Sequence, residues 1–347
     1  MENKLKVLMT GAGAPGGPGI IKAILKDKFI DLYICDCNNG ASGKYLIPHK
    51  FQLISKANDI NFIENILEIC LKLNIKVIFP LVTKELFKLA SNKDTFERAG
   101  IKIIVSDINS LKIANNKGFL YEHLKSKNIK IPQFYITNEV EDMKKKIHNL
   151  GYPNVPVVIK PCEGNGSRGI RIIDNSKNRF DILLNEKPTS LYTTMEEIMN
   201  TLSTVNLPDF IVSEYLPGDE LTIDTVIQNS KIVDLLIRTR DQMRSGISIA
   251  GRFIEDANIF NYIKEIVSTL PGLEGPVGFQ LKKSSNNEYL LLECNPRIQG
   301  SSVSAMGLGI NLPIRSIKLS RGIELEKVKK KSGISFARFY QEVFYES

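Results

Sequence analysis

Three short clusters of residues in this chain have types and spacing that could carry chemistry. The cluster nearest the C-terminus is Glu293-Cys294-Asn295-Pro296-Arg297. Glu293 and Asn295 lie two residues apart at the end of a predicted strand, so both side chains point to one face. Carboxylate and amide oxygens suit Mg²⁺, and Gln280 in the preceding strand supplies a third oxygen. The alternative is a structural salt bridge between Glu293 and Arg297 beside an Asn-Pro turn.

The second cluster is a glycine-rich loop between two predicted strands. The strand 157–160 ends in Lys160, and the loop 162–169 (Cys-Glu-Gly-Asn-Gly-Ser-Arg-Gly) leads into a strand over 170–173. Backbone N–H groups of such a hairpin and the Ser167 hydroxyl can donate to phosphate oxygens, while Lys160 supplies positive charge. An ordinary long hairpin is the alternative. The Walker pattern is absent, which excludes a P-loop NTPase.

The third cluster is Gly11-Ala12-Gly13-Ala14-Pro15-Gly16-Gly17, between a predicted strand and a predicted helix. Its glycines match the fingerprint of a dinucleotide site, in which the backbone approaches a pyrophosphate at a helix N-terminus. Asp36 ends the next strand, about 20 residues on, where such sites place a ribose-binding acid. The cluster therefore supports an NAD-dependent oxidoreductase as one hypothesis. The alternative is a tight turn that lets the helix pack closely on the sheet.

Composition limits the kind of protein in which these clusters act. The chain has 347 residues, 43% of them hydrophobic and 24% charged, with a net charge of +8 spread along the sequence. No apolar run approaches the roughly 20 residues that span a bilayer, and the charged residues near the start argue against a secretory signal. Five cysteines without scaffold spacing indicate reduced thiols. We expect a cytoplasmic protein that binds neither membrane nor nucleic acid.

The order of the predicted elements indicates an α/β domain followed by an α+β domain. Residues 4–113 alternate four apolar strands with helices, with Thr83 and Asp107 as candidate helix caps, which predicts a parallel, doubly wound, Rossmann-like sheet. A helix over 117–127 follows, and from Phe210 onward the pattern predicts mostly antiparallel strands. We place the domains at 1–113 and 114–322, with a mobile lid-bearing subdomain at about 130–213 and a C-terminal extension over 323–347.

Taken in this order, the motifs resemble the ATP-grasp superfamily over nearly the whole chain, from about Lys4 to Arg321. Within it, Gln280 and the segment 293–297 are most similar to one synthetase half of the carbamoyl phosphate synthase large subunit. The resemblance implies a Rossmann-like pre-ATP-grasp domain and an ATP-grasp domain with two α+β subdomains. It also reinterprets the glycine cluster 11–17 as a helix-packing turn that borders the substrate cavity.

The resemblance implies a role for each matching residue. The phosphates would contact Lys117 and Lys160 beneath the loop 164–169, the adenine would lie against 214–216, and Glu220 would hold the ribose. Arg297 would clamp the transferring phosphate. The implied ATP-binding residues are Lys117, Lys160, Gly164, Gly166, Ser167, Gly169, Glu214, Tyr215, Leu216 and Glu220, and the implied metal ligands are Gln280, Glu293 and Asn295. The implied catalytic residues are Lys160 and Arg297. The substrate arginines are Arg240 and Arg244, in a segment where many relatives contact substrate.

The chain also departs from the synthase. Lys117 stands where the synthase has an arginine, and Gly300 stands where its motif has a second arginine. These differences argue against carbamoyl phosphate synthesis. The resemblance therefore implies a carboxylate–amine (or thiol) ligase that uses ATP and Mg²⁺, or Mn²⁺, and makes an acyl phosphate from a small acid. Two rivals remain: the NAD-dependent oxidoreductase and a nucleotide-binding module without turnover. The partners expected are an acid and an amine, and a homodimer is left open.

Overall fold

The computed structural model of the chain describes residues 4–164, 166, 168–186, 190–203, 206–244 and 246–345. Its N-terminal part is a five-stranded parallel sheet in the order β3-β2-β1-β4-β5. The strands are β1 (Leu5–Met9), β2 (Ile30–Asp36), β3 (Phe51–Leu53), β4 (Val77–Phe79) and β5 (Lys102–Ile103). The accompanying helices are α1 (Gly17–Ile24), α2 (Phe62–Leu73), α3 (Thr83–Ser91), α4 (Lys93–Arg98) and α5 (Ile108–Ala114).

Both faces of this sheet are buried, as the unbroken apolar strands predict. Val7 and Met9 of β1 belong to one apolar cluster, whereas Leu8 between them belongs to a second cluster on the opposite face. The Asp107 side chain accepts hydrogen bonds from the N–H groups of Asn109 and Ser110, so the predicted cap of α5 is confirmed.

Two local predictions for this region are wrong. The sheet has a fifth strand, β3, which lies at the edge, is only three residues long and is partly exposed, so no apolar run indicates it. Thr83 does not cap α3 with its side chain, because the cap position belongs to Val82. The Thr83 hydroxyl instead accepts a hydrogen bond of 2.9 Å from Arg297 Nε.

The middle of the chain forms a second five-stranded sheet in the order β6-β10-β7-β8-β9, which we call the lid sheet. Its strands are β6 (Phe134–Thr137), β7 (Val157–Pro161), β8 (Arg171–Ile173), β9 (Tyr192–Thr193) and β10 (Phe210–Glu214). Helices of this region are α6 (Lys117–Ser126), α7 (Val140–Asn149), α8 (Arg179–Asn185) and α9 (Met195–Leu202). The predicted hairpin is confirmed, since β7 and β8 are antiparallel with Val157 opposite Ile173.

The remaining strands form a seven-stranded sheet in the order β13-β14-β12-β11-β15-β16, in which β17 pairs with β14. They are β11 (Glu220–Gln228), β12 (Lys231–Thr239), β13 (Gln242–Arg244), β14 (Ile247–Ile254), β15 (Gly275–Lys283), β16 (Tyr289–Asn295) and β17 (Ser335–Ala337). The helices here are α10 (Ala257–Ser268) and α11 (Leu312–Ser320). Every pairing in this sheet is antiparallel, as predicted.

The largest apolar cluster lies on one face of this sheet, between β11, β15 and β16 on one side and α6 and α10 on the other. This cluster packs β15 and β16 against α6 and α10 beside the polar residues Gln280 and Glu293. In the part of the chain that the structure describes, no helix has the length and apolar character needed to cross a bilayer.

Candidate functional site

A cavity of about 720 Å³ lies where the three sheets meet. Its walls come from the glycine turn 14–16, the start of α6, the lid sheet, the ends of β11, β15 and β16, and the loop 297–301. This volume falls within the range of roughly 300–1,000 Å³ that small-molecule sites occupy. The predicted residues that line it are Lys117, Lys160, Gly166, Glu214, Tyr215, Leu216, Glu220, Arg240, Gln280, Glu293, Asn295 and Arg297.

The predicted metal ligands meet at the end of the β15–β16 pair. Gln280 lies directly opposite Glu293 in the ladder, and Asn295 Nδ2 donates a hydrogen bond of 3.0 Å to Glu293 Oε1. That bond orients the Asn295 amide and leaves its oxygen free to bind another partner. The described residues contain no group of three His, Cys, Asp or Glu side chains around one point. One carboxylate and two amide oxygens fit Mg²⁺, which completes its shell with water and phosphate oxygens.

Lys160 reaches the same place from β7 and is buried, with 5% of its surface exposed. Its Nζ donates to the Tyr121 hydroxyl at 3.0 Å and to the Leu292 carbonyl at 3.1 Å. Burial lowers the pKa of Lys160 to about 8, and the nearby Glu293 carboxylate partly opposes this shift. Among the described residues the lysine is thus held in one position without a direct ion pair, so its charge is available to an anion.

Lys117 connects α6 to the glycine loop. Its Nζ donates to the Gly164 carbonyl at 2.7 Å and lies 3.6 Å from Glu293 Oε2. The preceding Asn116 caps the helix by accepting from the Phe119 N–H, which fixes where Lys117 emerges. Burial lowers the pKa of Lys117, and Glu293 opposes this effect. Two lysines from different elements therefore converge on one carboxylate.

The glycine loop depends on backbone conformations that other residues rarely adopt. Gly164, Gly166 and Gly169 have φ values of 139°, 68° and 78°. A Cβ on Gly169 would lie 2.6 Å from Pro161 Cγ, so a side chain there would displace the strand end. Gly166 lines the cavity, whereas Gly164 and Gly169 shape the loop behind it. Ser167, which the sequence also implicated, lies outside the described residues.

At the other side of the cavity, β10 ends in Glu214, followed by Tyr215 and the buried Leu216. Glu214 Oε1 accepts from the Gln133 N–H at 2.8 Å, and the Glu214 N–H donates to the Gln133 carbonyl at 3.0 Å. This reciprocal pair fixes the strand end, and no other described residue donates to the second carboxylate oxygen of Glu214. The segment 214–216 can therefore present both backbone and side-chain acceptors to a ligand.

Glu220 and Arg240 were predicted to bind different groups, yet the structure pairs them. Arg240 Nε lies 3.1 Å from Glu220 Oε1, and the guanidinium also donates to Thr222 Oγ1 and to the Gly246 carbonyl at 2.7 Å. Burial raises the pKa of Glu220 and lowers that of Arg240, while each partner's charge opposes the other's shift. Arg240 thus positions Glu220 and lines the cavity beside it.

Arg297 joins the third sheet to the N-terminal sheet. Its Nε donates to Thr83 Oγ1 at 2.9 Å and its Nη1 to the Ile298 carbonyl at 2.8 Å. Burial lowers its pKa, an effect that Glu293 opposes. Thr83 was predicted to cap a helix, so its part in holding this arginine was missed; the two residues are too far apart in sequence for spacing to suggest it.

Gly300 has a steric reason to be glycine. A Cβ on Gly300 would lie 2.7 Å from Gly16 Cα, and a Cβ on Gly16 would lie 2.0 Å from Gly300 Cα. The glycine turn of the N-terminal sheet therefore packs backbone against backbone on the loop 297–301. The interpretation of the glycine cluster as a packing turn next to the cavity agrees with this contact.

The dinucleotide hypothesis finds no support. The Asp36 carboxylate accepts hydrogen bonds from the N–H groups of Gly13 at 2.8 Å and Asn38 at 2.9 Å, so it holds its own loops together. The glycine turn packs at Gly16 against Gly300, and its residues 14–16 form part of the wall of the cavity described above.

Two cavity residues differ from the prediction. Arg244 is not among the lining residues; it lies on β13 with its guanidinium 5.2 Å from the centre of the Tyr340 ring. Arg338, from the C-terminal extension, does line the cavity and was missed. No motif surrounds Arg338; the pairing of β17 with β14 and the bond from the Arg338 N–H to the Ile249 carbonyl bring it to the cavity.

Comparison with known proteins gives matches at both ends of the chain. Residues 7–104 match the family model described as PylC-like, N-terminal domain. Residues 206–341 match the model described as ATP-grasp in the biosynthetic pathway with Ter operon. Among curated relatives, the carbamoyl phosphate synthase large chain of Methanobrevibacter smithii is 22% identical over 237 residues, which are 66% of this chain and 21% of that protein. The chain spans less than a quarter of the length of the first curated relatives it matches.

Solved structures share the fold over almost the whole chain. The ADP complex of an N5-carboxyaminoimidazole ribonucleotide synthetase has a TM-score of 0.71 at 12% identity, covering 95% of this chain and 80% of that one. The biotin carboxylase domain dimer of the Hydrogenobacter thermophilus 2-oxoglutarate carboxylase, with MgADP and bicarbonate, has a TM-score of 0.67 at 17% identity, covering 95% and 72%. At identities of 12% and 17%, this structural similarity shows that the chain shares their fold.

Proposed function

Because the chain carries an ATP-grasp domain behind a PylC-like N-terminal domain, we propose that it is an ATP-dependent ligase. It would activate a small carboxylic acid as an acyl phosphate for attack by an amine or a thiol. The observation that carries this proposal is the convergence of Lys117 and Lys160 on Glu293, which itself faces Gln280 and Asn295. Fixed cations beside a set of oxygen ligands suit a polyphosphate bound through a metal.

The nucleotide would extend from the β10 end toward Glu293. Its base would lie against residues 214–216, and the carboxylate of Glu220, held by Arg240, would accept from the ribose hydroxyls. The phosphates would lie over Lys160 and Lys117 and under the glycine loop, whose positive-φ residues expose backbone N–H groups.

In the first chemical step, a carboxylate oxygen of the acid bonds to the γ-phosphorus of ATP as the bond to the bridging β,γ-oxygen breaks and ADP leaves. Mg²⁺ held by Gln280, Glu293 and Asn295 would supply positive charge to the phosphate oxygens. Lys160 and Arg297 stabilise the transferring group from fixed positions, since their hydrogen bonds are already made. In the second step, the nucleophile bonds to the acyl carbon and phosphate leaves. Mn²⁺ is the alternative metal.

The site residues resemble those of carbamoyl phosphate synthase, but we do not propose that this chain makes carbamoyl phosphate. An arginine at position 300 would collide with Gly16, so the second arginine of the synthase motif has no room here. A nucleotide-binding module without turnover is the second candidate. The presence of Lys160, Glu293, Asn295 and Arg297 together in one cavity argues against it, because these residues suit transfer of a phosphoryl group as well as binding.

Two broader features belong to the proposal. All five cysteines are unpaired in the structure, which agrees with action in a reducing cytoplasm. The biotin carboxylase domain compared above is described as a dimer, and a homodimer of this chain would be recognised by its mass in solution.

The test measures ADP release by the purified protein with ATP, Mg²⁺ and a panel of amino, hydroxy and dicarboxylic acids. We expect release that depends on one class of acid and falls by at least about a hundredfold in Glu293→Ala. The matched control is Glu265→Ala, at an exposed position of α10 away from the cavity. Full ATP turnover by Glu293→Ala would refute the metal assignment, and nucleotide binding without turnover for every acid would favour the non-catalytic module.

A further inference from the structure

The C-terminal residues 335–345, which we call the C-terminal strap, cross from the third sheet to the N-terminal domain. Strand β17 begins the strap and pairs with β14, and the Arg338 N–H donates to the Ile249 carbonyl at 2.7 Å. Farther along, Gln341 accepts from Lys22 Nζ at 2.5 Å. The Tyr345 ring stacks on Tyr45 with 3.7 Å between ring centres. The strap is therefore attached at both ends and passes over one side of the cavity.

The strap also supports the cavity wall from behind. Its Phe336 ring lies 5.8 Å from the guanidinium of Arg238, a fully buried residue. Arg238 in turn donates to Asp224 Oδ2 at 2.6 Å and to Ser301 Oγ at 2.7 Å. Because Ser301 lines the cavity, the strap, Arg238 and the loop 297–301 form one continuous wall.

Arg338 is the strap residue that reaches the cavity. It is partly buried, and within the described residues its guanidinium makes no hydrogen bond and no ion pair with the chain. Arg240, which lines the same cavity, is neutralised by Glu220. Burial lowers the pKa of Arg338, and the like charge of Arg238 lowers it further. A partly buried cation without a counter-ion is unfavourable unless an anion binds to it.

Arg338 also enters the cavity apart from the proposed phosphate end. It is held against β14 by its bond to the Ile249 carbonyl, whereas Lys117 and Lys160 reach Glu293 and the Leu292 carbonyl of β16. Three strands, β12, β11 and β15, separate β14 from β16 in the sheet. Among the described residues, eight basic side chains and three carboxylates line the cavity. The triphosphate of ATP would neutralise the cations near Glu293 and would leave Arg338 without a partner.

We propose that Arg338 binds a second, non-reacting anionic group of the acid substrate, so that the substrate is a dicarboxylic or phosphorylated acid. This inference rests on the proposed ligase function, which places the reacting carboxylate near Glu293 and Arg297. The planar guanidinium of arginine binds carboxylate or phosphate through two parallel hydrogen bonds and selects for such groups. Arg338 is thereby a specificity residue delivered by the C-terminal strap.

The experiment measures binding to the full chain with Mg²⁺ and ADP present, by calorimetry, so that it does not depend on turnover. The probes are succinate and glutarate, each against its half-amide, and 3-phosphoglycerate against glycerate. Each pair differs by one anionic group, and the two kinds of pair separate a carboxylate from a phosphate site. The variants are Arg338→Gln and Arg338→Lys, with Arg252→Gln as control. Arg252 is exposed on β14 opposite Ser335 of the strap and does not line the cavity.

We expect the wild type to bind the doubly anionic member of at least one pair about tenfold to a hundredfold more tightly. Arg338→Gln should abolish that preference, Arg338→Lys should keep part of it, and Arg252→Gln should keep all of it. Equal binding within every pair by the wild type, or an unchanged preference in Arg338→Gln, would overturn the inference. ATP should protect wild type and Arg338→Gln equally from thermal unfolding. Failure of ATP to protect the wild type would count against the proposed ligase instead.

Discussion

The buried Lys160 predicts that ATP binding is linked to the uptake of a proton. In the free protein its Nζ lies between the Tyr121 hydroxyl and the Leu292 carbonyl, and burial lowers its pKa to about 8. Phosphate oxygens stabilise the charged form and therefore raise that pKa when nucleotide binds. Affinity for ATP should be greatest below about pH 8 and should fall as pH rises through the pKa of the free protein.

The size of the effect follows from the same value. At about pH 9, one unit above a pKa of about 8, roughly one lysine in eleven is protonated, so apparent affinity should fall about tenfold. The terminal phosphate of ATP itself titrates near a pKa of about 6 and does not contribute in this range. Calorimetry at pH 7.5 to about 9, in two buffers with different ionisation enthalpies, measures both affinity and proton uptake.

Variants at position 160 show whether Lys160 is the source of the pH dependence of ATP affinity. Lys160→Arg should stay charged and lose the pH dependence, and Lys160→Gln should bind weakly with an equally flat profile above about pH 7.5. Tyr121→Phe removes a hydrogen-bond acceptor of the charged lysine and should move the midpoint to lower pH. A wild-type profile that is flat across this range, or a slope that persists unchanged in Lys160→Gln, would refute the reasoning.

Two further predictions concern the N-terminal domain. Glu85, which is buried and accepts from Thr10 Oγ1, has its pKa raised by burial to about 7. Between about pH 4.5 and pH 7 the folded protein therefore keeps the Glu85 carboxyl protonated, whereas the unfolded chain has lost that proton. The stability that this proton contributes is complete below about pH 4.5 and is lost as pH rises to about 7. Unfolding by urea at pH 4.5 to about 7 should show Glu85→Gln gaining up to about 3 kcal/mol relative to wild type, and a constant difference would contradict this. Gly300→Ala should lower the free energy of unfolding by roughly 1–3 kcal/mol, because the added methyl group would collide with Gly16. Gly40→Ala should lower it less, because a Cβ there makes only an ordinary contact at 3.4 Å. Equal losses in the two variants would count against the close packing of Gly300 on Gly16.

Local patterns predicted much of the cavity wall, because several site residues lie next to features that sequence displays. Lys160 ends an apolar strand, and Glu293 and Asn295 share a face because they are two apart in β16. The register of β15 then brings Gln280 opposite Glu293, which a short hairpin of apolar strands made predictable.

Contacts between distant segments were not predictable in the same way. The Glu220–Arg240 ion pair depends on how β11 and β12 align, and each residue alone suggested a separate ligand contact. Arg338 directly follows a three-residue strand without an apolar pattern, and Thr83 holds Arg297 across more than two hundred residues. Such contacts arise from the packing of whole sheets, and the local spacing of residues in the sequence does not indicate them.

The central claim is that the protein makes an acyl phosphate, and hydroxylamine tests it most directly. With ATP, Mg²⁺ and an accepted acid, but without the natural nucleophile, hydroxylamine should convert the acyl phosphate to a hydroxamate in amounts equal to the ADP released. Glu293→Ala should form neither product. Release of ADP without hydroxamate, or at the same rate with and without acid, would contradict the claim.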